Sequence, residues 1–303
     1  MNYDTRKKVL LWPFLMTCTL VLAGGCTKYQ LAHLILKAPH PRPVVIHFDT
    51  THATSPYSFR YPDTTHNLYL RTLRERYDLL TLAGRETSPD SAVLQIMDWT
   101  HHRWKHNGSH QPSQPDALTI LEEAQQGGTF RCVEYATVLT DALLSLGYQA
   151  RTLALKSKDA QTCKTGAGHV LTEVFLHGPQ KWALLDGQFN VMPFLDGEPL
   201  SAVELQAAIT AQRDFQLANR RGTVPKAVQK RYTRFIAPYL YYFETTLDSQ
   251  NPETALAPAE RQKTHLMLVP LGAKPPTVFQ RRFPIDYCHY THSLQAFYQQ
   301  SLR

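Results

Sequence analysis

Along residues 127–186 the spacing of apolar side chains switches from a helical to a strand period, and that switch restricts the chain to an α+β architecture. Gly127-Gly128 opens a loop, and from Cys132 onward Val133, Ala136, Leu139, Leu143 and Leu146 follow a helical period until Gly147 stops it as a C-cap would. Three strand-like runs follow at residues 149–155, 169–176 and 181–186, the last two separated by His177-Gly178-Pro179-Gln180. Upstream, helical periods cover residues 66–83 and 91–106, the second stopped by Asn107-Gly108, and Asp116 is placed to cap a short helix reaching Ala124. Downstream, a helix over residues 202–220, an aromatic segment over 231–243 and a strand over 265–270 are expected. The predicted fold is a set of helices packed on an antiparallel β-sheet, with a C-terminal extension. With 43% hydrophobic and 19% charged residues, the composition excludes a chain disordered throughout.

The chemistry-bearing residues sit at the joints of this pattern. A cysteine at a helix N-terminus, as Cys132 is expected to be, has its thiolate favoured by the helix dipole. Its backbone N–H is then free for an oxyanion. His169 opens one strand and Asp186 closes the next. An even loop of four residues, 177–180, pairs Leu176 with Lys181 and Leu171 with Asp186, which puts His169 and Asp186 diagonally on one face. An odd loop would separate them. On one face, Asp186 can orient the imidazole and leave its other nitrogen for the thiol proton. A second oxyanion donor is expected upstream, with Gln125, Gln126, Trp99 and Trp104 as open alternatives.

These residues fall in Gly128-Thr129-Phe130-Arg131-Cys132-Val133-Glu134-Tyr135-Ala136, Gly168-His169-Val170-Leu171-Thr172-Glu173-Val174 and Trp182-Ala183-Leu184-Leu185-Asp186. In order and spacing the set resembles the transglutaminase-like (papain-like cysteine enzyme) superfamily. The resemblance covers about residues 90–200 and implies a papain-like or transglutaminase-like core with Cys132, His169 and Asp186 as its catalytic triad. It further implies thiol-dependent acyl transfer on amide bonds, of peptidase, amidase or transglutaminase type, without a cofactor. The paired glycines with Cys132-Val133-Glu134 are also similar to arylamine N-acetyltransferases, but those place the glycines nearer the cysteine and draw on a cytoplasmic acyl-CoA donor. The alternative of another class is a non-catalytic envelope binding module using the same cleft.

The N-terminus bears on compartment. Arg6, Lys7 and Lys8 precede an apolar run over residues 9–23 that is broken by Pro13 and is too short for a comfortable membrane span. Leu22-Ala23-Gly24-Gly25-Cys26 resembles the bacterial lipobox, which implies lipidation of Cys26, and Thr27 after it implies the outer membrane. The expected organisation is a signal peptide over residues 1–25, a tether over 26–61, a catalytic core over 62–200 and a C-terminal extension over 201–303 packed on that core. The expected setting is the periplasmic face of the bacterial envelope, and the expected partner an envelope protein, peptide or peptidoglycan substrate. Removing residues 1–25 takes three basic side chains and one acidic, reducing the net charge from +7 to +5. That excess forms no basic block, so nucleic acid is not an expected partner.

In an oxidising compartment the remaining Cys132, Cys163 and Cys288 predict one pair and one free thiol, with Cys163 and Cys288 joined. His102 and His106, spaced i, i+4 on the expected helix, and His110 lack a carboxylate or cysteine to complete a ligand set, so no metal is expected. The aromatic run Tyr232, Phe235, Tyr239, Tyr241, Tyr242 and Phe243 is read first as packing and second as a stacking surface for sugars.

Overall fold

A computed structural model describes residues 44–51, 55–85, 89–249 and 263–299. The described residues lie in one compact unit, residues 37–303. The expected signal peptide and Cys26 lie outside the described residues. Among the described residues no helix is long and apolar enough to cross a membrane.

The architecture is α+β. Helices α1 (Leu68–Arg76), α2 (Leu79–Ala83), α3 (Pro89–His101), α4 (Ala117–Gln125) and α5 (Cys132–Ser145) precede strands β1 (Ala150–Lys156), β2 (Gly168–Leu176) and β3 (Lys181–Leu185). Strands β4 (Met192–Leu195) and β5 (Glu198–Pro199), helix α6 (Ala202–Thr210), strands β6 (Gln216–Asn219) and β7 (Gly222–Thr223) and helix α7 (Lys226–Ile236) follow. A 3-10 turn, Ala237–Tyr239, leads into β8 (Tyr242–Thr246), β9 (His265–Leu268), β10 (Val278–Phe279), β11 (Phe283–Pro284), β12 (Cys288–Thr291) and α8 (Leu294–Tyr298). The central sheet has the order β12-β9-β8-β1-β2-β3, so the C-terminal region supplies three of its strands. Its pairs are antiparallel except β12 with β9, which run parallel and depart from the purely antiparallel expectation.

Alternation along β1 to β3 sends two side-chain sets to two layers. Ala150, Val174, Ala183 and Leu185 pack with the apolar faces of α1 to α5. Leu153, Leu155, Leu171 and Leu184 pack instead with α6, α7 and the segment before α1. A buried ion pair ties the C-terminus to this second layer: Arg151 Nη2 and Glu173 Oε2 lie 2.8 Å apart, both side chains wholly buried. Arg151 Nη1 also donates to the Phe297 carbonyl, and Glu173 Oε1 accepts from Tyr298 Oη at 3.0 Å and from the Ala202 backbone N–H.

Several element ends differ from the sequence pattern. The helical period over residues 66–83 is broken at Asp78, whose φ of 49° is left-handed and starts α2 in a new direction. Helix α3 stops at His101 instead of running to residue 106, because Tyr135 Oη holds the Trp104 carbonyl and the Asn107 N–H donates to the Phe130 carbonyl, drawing the chain off the helix axis. His102 and His106 therefore share no helix face. The helix expected over residues 202–220 ends at Thr210, Gln212 turning with φ 52° into β6. Helix α5 ends as its sequence predicts: Gly147 takes φ 90°, and the Tyr148 N–H returns to the Leu143 carbonyl.

Candidate active site

The thiol is set up by the two glycines before it. Gly127 takes φ 94°, and the Gly128 N–H donates to the Glu123 carbonyl at 2.8 Å, so close that a Cβ on Gly128 would meet that oxygen at 2.8 Å. The chain then enters α5 with Cys132 as its first helical residue. Glu134, buried in the first turn, accepts the Arg131 backbone N–H at 2.9 Å and pairs with the Arg131 guanidinium, which fixes the helix start.

The imidazole and carboxylate come from the hairpin. Leu176 pairs with Lys181 and Thr172 with Leu185, the register of an even four-residue loop. His169 Nε2 and Asp186 Oδ2 are 2.7 Å apart, with 2% and 0% of their side chains exposed. His169 and Asp186 continue the alternation of Leu171 and Leu184, and hence lie on the layer opposite α5. They meet Cys132 at the start of β2, where the His169 side chain and the Val170 backbone act electrostatically on the sulfur. With Nε2 engaged by Asp186, Nδ1 is the ring nitrogen left for Cys132.

Charge follows geometry. Burial works against a Cys132 thiolate, but the His169 hydrogen bond and charge, with the Val170 N–H, outweigh it and lower the thiol pKa. Burial likewise opposes an imidazolium at His169, and the Asp186 carboxylate overrides it, raising the pKa well above the ordinary 6.5. Cys132 itself remains partly exposed, so an electrophile can reach it while the two groups behind it stay dry.

Every oxygen of Asp186 is committed. Oδ1 accepts the backbone N–H groups of Gln188 and Phe189 at 3.1 and 3.2 Å, and Oδ2 takes Tyr232 Oη at 3.1 Å beside His169. The aromatic run thus divides. Tyr232 bonds the carboxylate, and Phe235 stands edge-on to His169 with ring centres 5.1 Å apart. Tyr239 is tilted toward the same imidazole at 6.3 Å. Sequence reasoning read these residues as packing; their helical spacing in α7, which puts Tyr232, Phe235 and Ile236 on one face, was the signal available.

Other expectations resolve differently. Cys163 and Cys288 are both free thiols. The Cys163 sulfur donates to Asp159 Oδ2 at 2.8 Å, while Cys288 is fully buried beside Glu244, so each has a local partner in place of the other. Among the oxyanion candidates, Trp99 meets Tyr77 edge-to-face and lies under Arg103, and Gln125 and Gln126 are exposed at the end of α4. Trp104 lies with its ring 4.4 Å from Tyr135 and its Nε1 buried without a partner.

Residues 80–187 match the family model of the transglutaminase-like superfamily. This segment is a transglutaminase-like core. The match ends one residue beyond Asp186, so the core contains Cys132, His169 and Asp186, while Tyr232 comes from outside it. The match associates this segment with thiol-dependent acyl transfer or hydrolysis in general. No curated protein matches the chain. Among solved structures, a Cytophaga hutchinsonii protein named provisionally as a cysteine protease is 18% identical over 42% of this chain and 40% of its own, with a TM-score of 0.33. A TGase is 16% identical over 39% of this chain and 30% of its own, with a TM-score of 0.28.

Proposed function

We propose that this protein is a thiol acyl-transfer enzyme acting on amide bonds, with Cys132 as nucleophile, His169 as general base and acid, and Asp186 as the group that orients the imidazole. The observation that carries this reading is the buried 2.7 Å contact of His169 Nε2 with Asp186 behind a thiol that remains partly exposed. His169 Nδ1 takes the thiol proton, and the Cys132 sulfur bonds to the substrate carbonyl carbon, moving the carbonyl π pair onto oxygen. The Cys132 backbone N–H, unpaired by the helix, is available to that oxyanion. Collapse breaks the carbon–nitrogen bond, and the leaving amine takes the proton from His169, leaving a thioester. Water as the second acceptor makes the protein a peptidase or amidase; an amine makes it a transglutaminase.

The N-terminal sequence supports an envelope setting. With Cys26 lipidated, the enzyme is held at the periplasmic face of the outer membrane, where its substrate is an envelope protein, a peptide or peptidoglycan. Mass spectrometry of the mature protein tests the anchor: an unmodified chain beginning elsewhere refutes it. Labelling whole envelopes with a thiol-directed acyl probe, wild type against Cys132→Ser, tests the chemistry. Loss of labelling in the variant is expected, and equal labelling of both proteins overturns the nucleophile.

A further inference from the structure

We propose that His106 supplies the second oxyanion donor of this site, its ring N–H meeting the substrate carbonyl oxygen opposite the Cys132 backbone N–H. This rests on the acyl-transfer reading of Cys132. An oxyanion donor must be reachable from the cleft and held rigidly against the nucleophile's loop. Trp104 Nε1 fails the first requirement, being closed off from solvent with its ring set between Tyr135 and Phe130. Trp99 is engaged elsewhere, by Tyr77 and Arg103. His106 meets both. It is half-buried, and no hydrogen bond engages its ring among the described residues.

Its backbone is pinned from both sides to the segment that carries Cys132. On one side Tyr135 Oη, from the first turn of α5, donates to the Trp104 carbonyl at 2.8 Å. On the other, the Asn107 N–H donates to the Phe130 carbonyl at 2.7 Å and Asn107 Nδ2 to Thr129 Oγ1 at 3.1 Å. Residues 104–107 are thus tied to Thr129, Phe130 and Tyr135, on either side of the nucleophile. From there the ring lies within electrostatic reach of His169, Asp186 and Glu134. Burial, and next the His169 charge, lower its pKa, which keeps the ring neutral and able to donate one N–H without competing for the thiol proton.

The test separates two reactions of one thiol. Iodoacetamide alkylates a thiolate by displacement at a saturated carbon and forms no oxyanion; p-nitrophenyl acetate acylates it through a tetrahedral oxyanion. With Cys132→Ser as background, His106→Ala is expected to slow single-turnover acylation by about 100- to 1,000-fold. Iodoacetamide alkylation at the same pH should change less than about twofold, the margin for a thiolate left in place. His106→Gln, which keeps an N–H donor, should recover part of the acylation rate. Unchanged acylation in His106→Ala, or equal loss in both reactions, overturns the assignment while leaving Cys132 as nucleophile. A wild type that gives no burst of p-nitrophenolate and alkylates as a free thiol overturns the acyl-transfer reading, and His106 with it.

Discussion

Tyr232 Oη donates to Asp186 Oδ2 across 46 residues of chain, so one carboxylate oxygen serves both a tyrosine and the candidate catalytic imidazole. The hydroxyl spreads negative charge that would otherwise fall on His169 alone. Tyr232→Phe should therefore cost about 1 kcal/mol of stability, the usual net worth of a buried hydrogen bond. It should leave Cys132 alkylation at low pH in place or extend it to lower pH, because a less solvated carboxylate favours imidazolium more. Urea unfolding and an alkylation pH profile measure the two effects; a profile shifted to that of a free thiol would show that the hydroxyl orients the pair.

Removing the carboxylate charge has the opposite sign. Asp186 is the chief influence raising the His169 pKa, against the opposing effect of burial, and His169 in turn holds the Cys132 thiol low. Asp186→Asn should move the alkylation profile toward the free-thiol pKa of about 8.5, and His169→Ala should move it further. Circular dichroism on the same samples checks that the fold survives. A profile unmoved in both variants sinks the triad.

The two shifts also set how stability depends on pH. His169 is raised from 6.5 to about 10, so its contribution is complete below about 6.5 and lost as pH climbs toward 10. Cys132 is lowered from 9.0, so its contribution is present above about 9 and lost as pH falls. Between those limits the slopes oppose, so the wild type should depend on pH less steeply than the His169 shift alone would dictate. Cys132→Ala removes the slope that rises with pH, so its stability should fall more steeply than the wild type's as pH increases toward about 9; urea midpoints at three pH values below that limit decide it.

Gly168 carries no turn, yet a side chain there has no room. A Cβ would lie 2.9 Å from the Leu155 carbonyl oxygen and 3.1 Å from the Phe279 ring. Gly168→Ala should cost about 1–3 kcal/mol as an overpacked site. Because it displaces the strand start that presents His169, it should also weaken low-pH alkylation. Wild-type values in both measurements would show that Phe279 yields freely.

The Arg151–Glu173 pair is wholly buried, and Arg151 also stacks on Trp182 with its guanidinium carbon 4.2 Å from the ring centre. Arg151→Met leaves an uncompensated carboxylate and should cost about 3–5 kcal/mol, whereas Arg151→Met with Glu173→Gln should cost less. Equal losses in the single and double variants would assign the effect to packing alone.

The sequence by itself determined the local geometry of the candidate site. Cys132 starts a helix because a left-handed glycine and a close-approach glycine precede it, and His169 and Asp186 share a face because a loop of four residues conserves side-chain parity. Both are short-range arithmetic, carried by neighbours in the chain. What only the tertiary structure decided is what surrounds that geometry. Tyr232 reaches Asp186 from 46 residues away and Phe297 reaches Arg151 from 146, and the helix expected to run to residue 106 ends early because Tyr135 and Phe130 draw the following segment onto α5. An apolar period says that a face must be covered but not by which distant segment. Pairing of cysteines fails for the same reason, since Cys163 and Cys288 each find a nearer partner in Asp159 and Glu244. Long-range partners are fixed by where the folded chain returns, and that is a property of the whole packing.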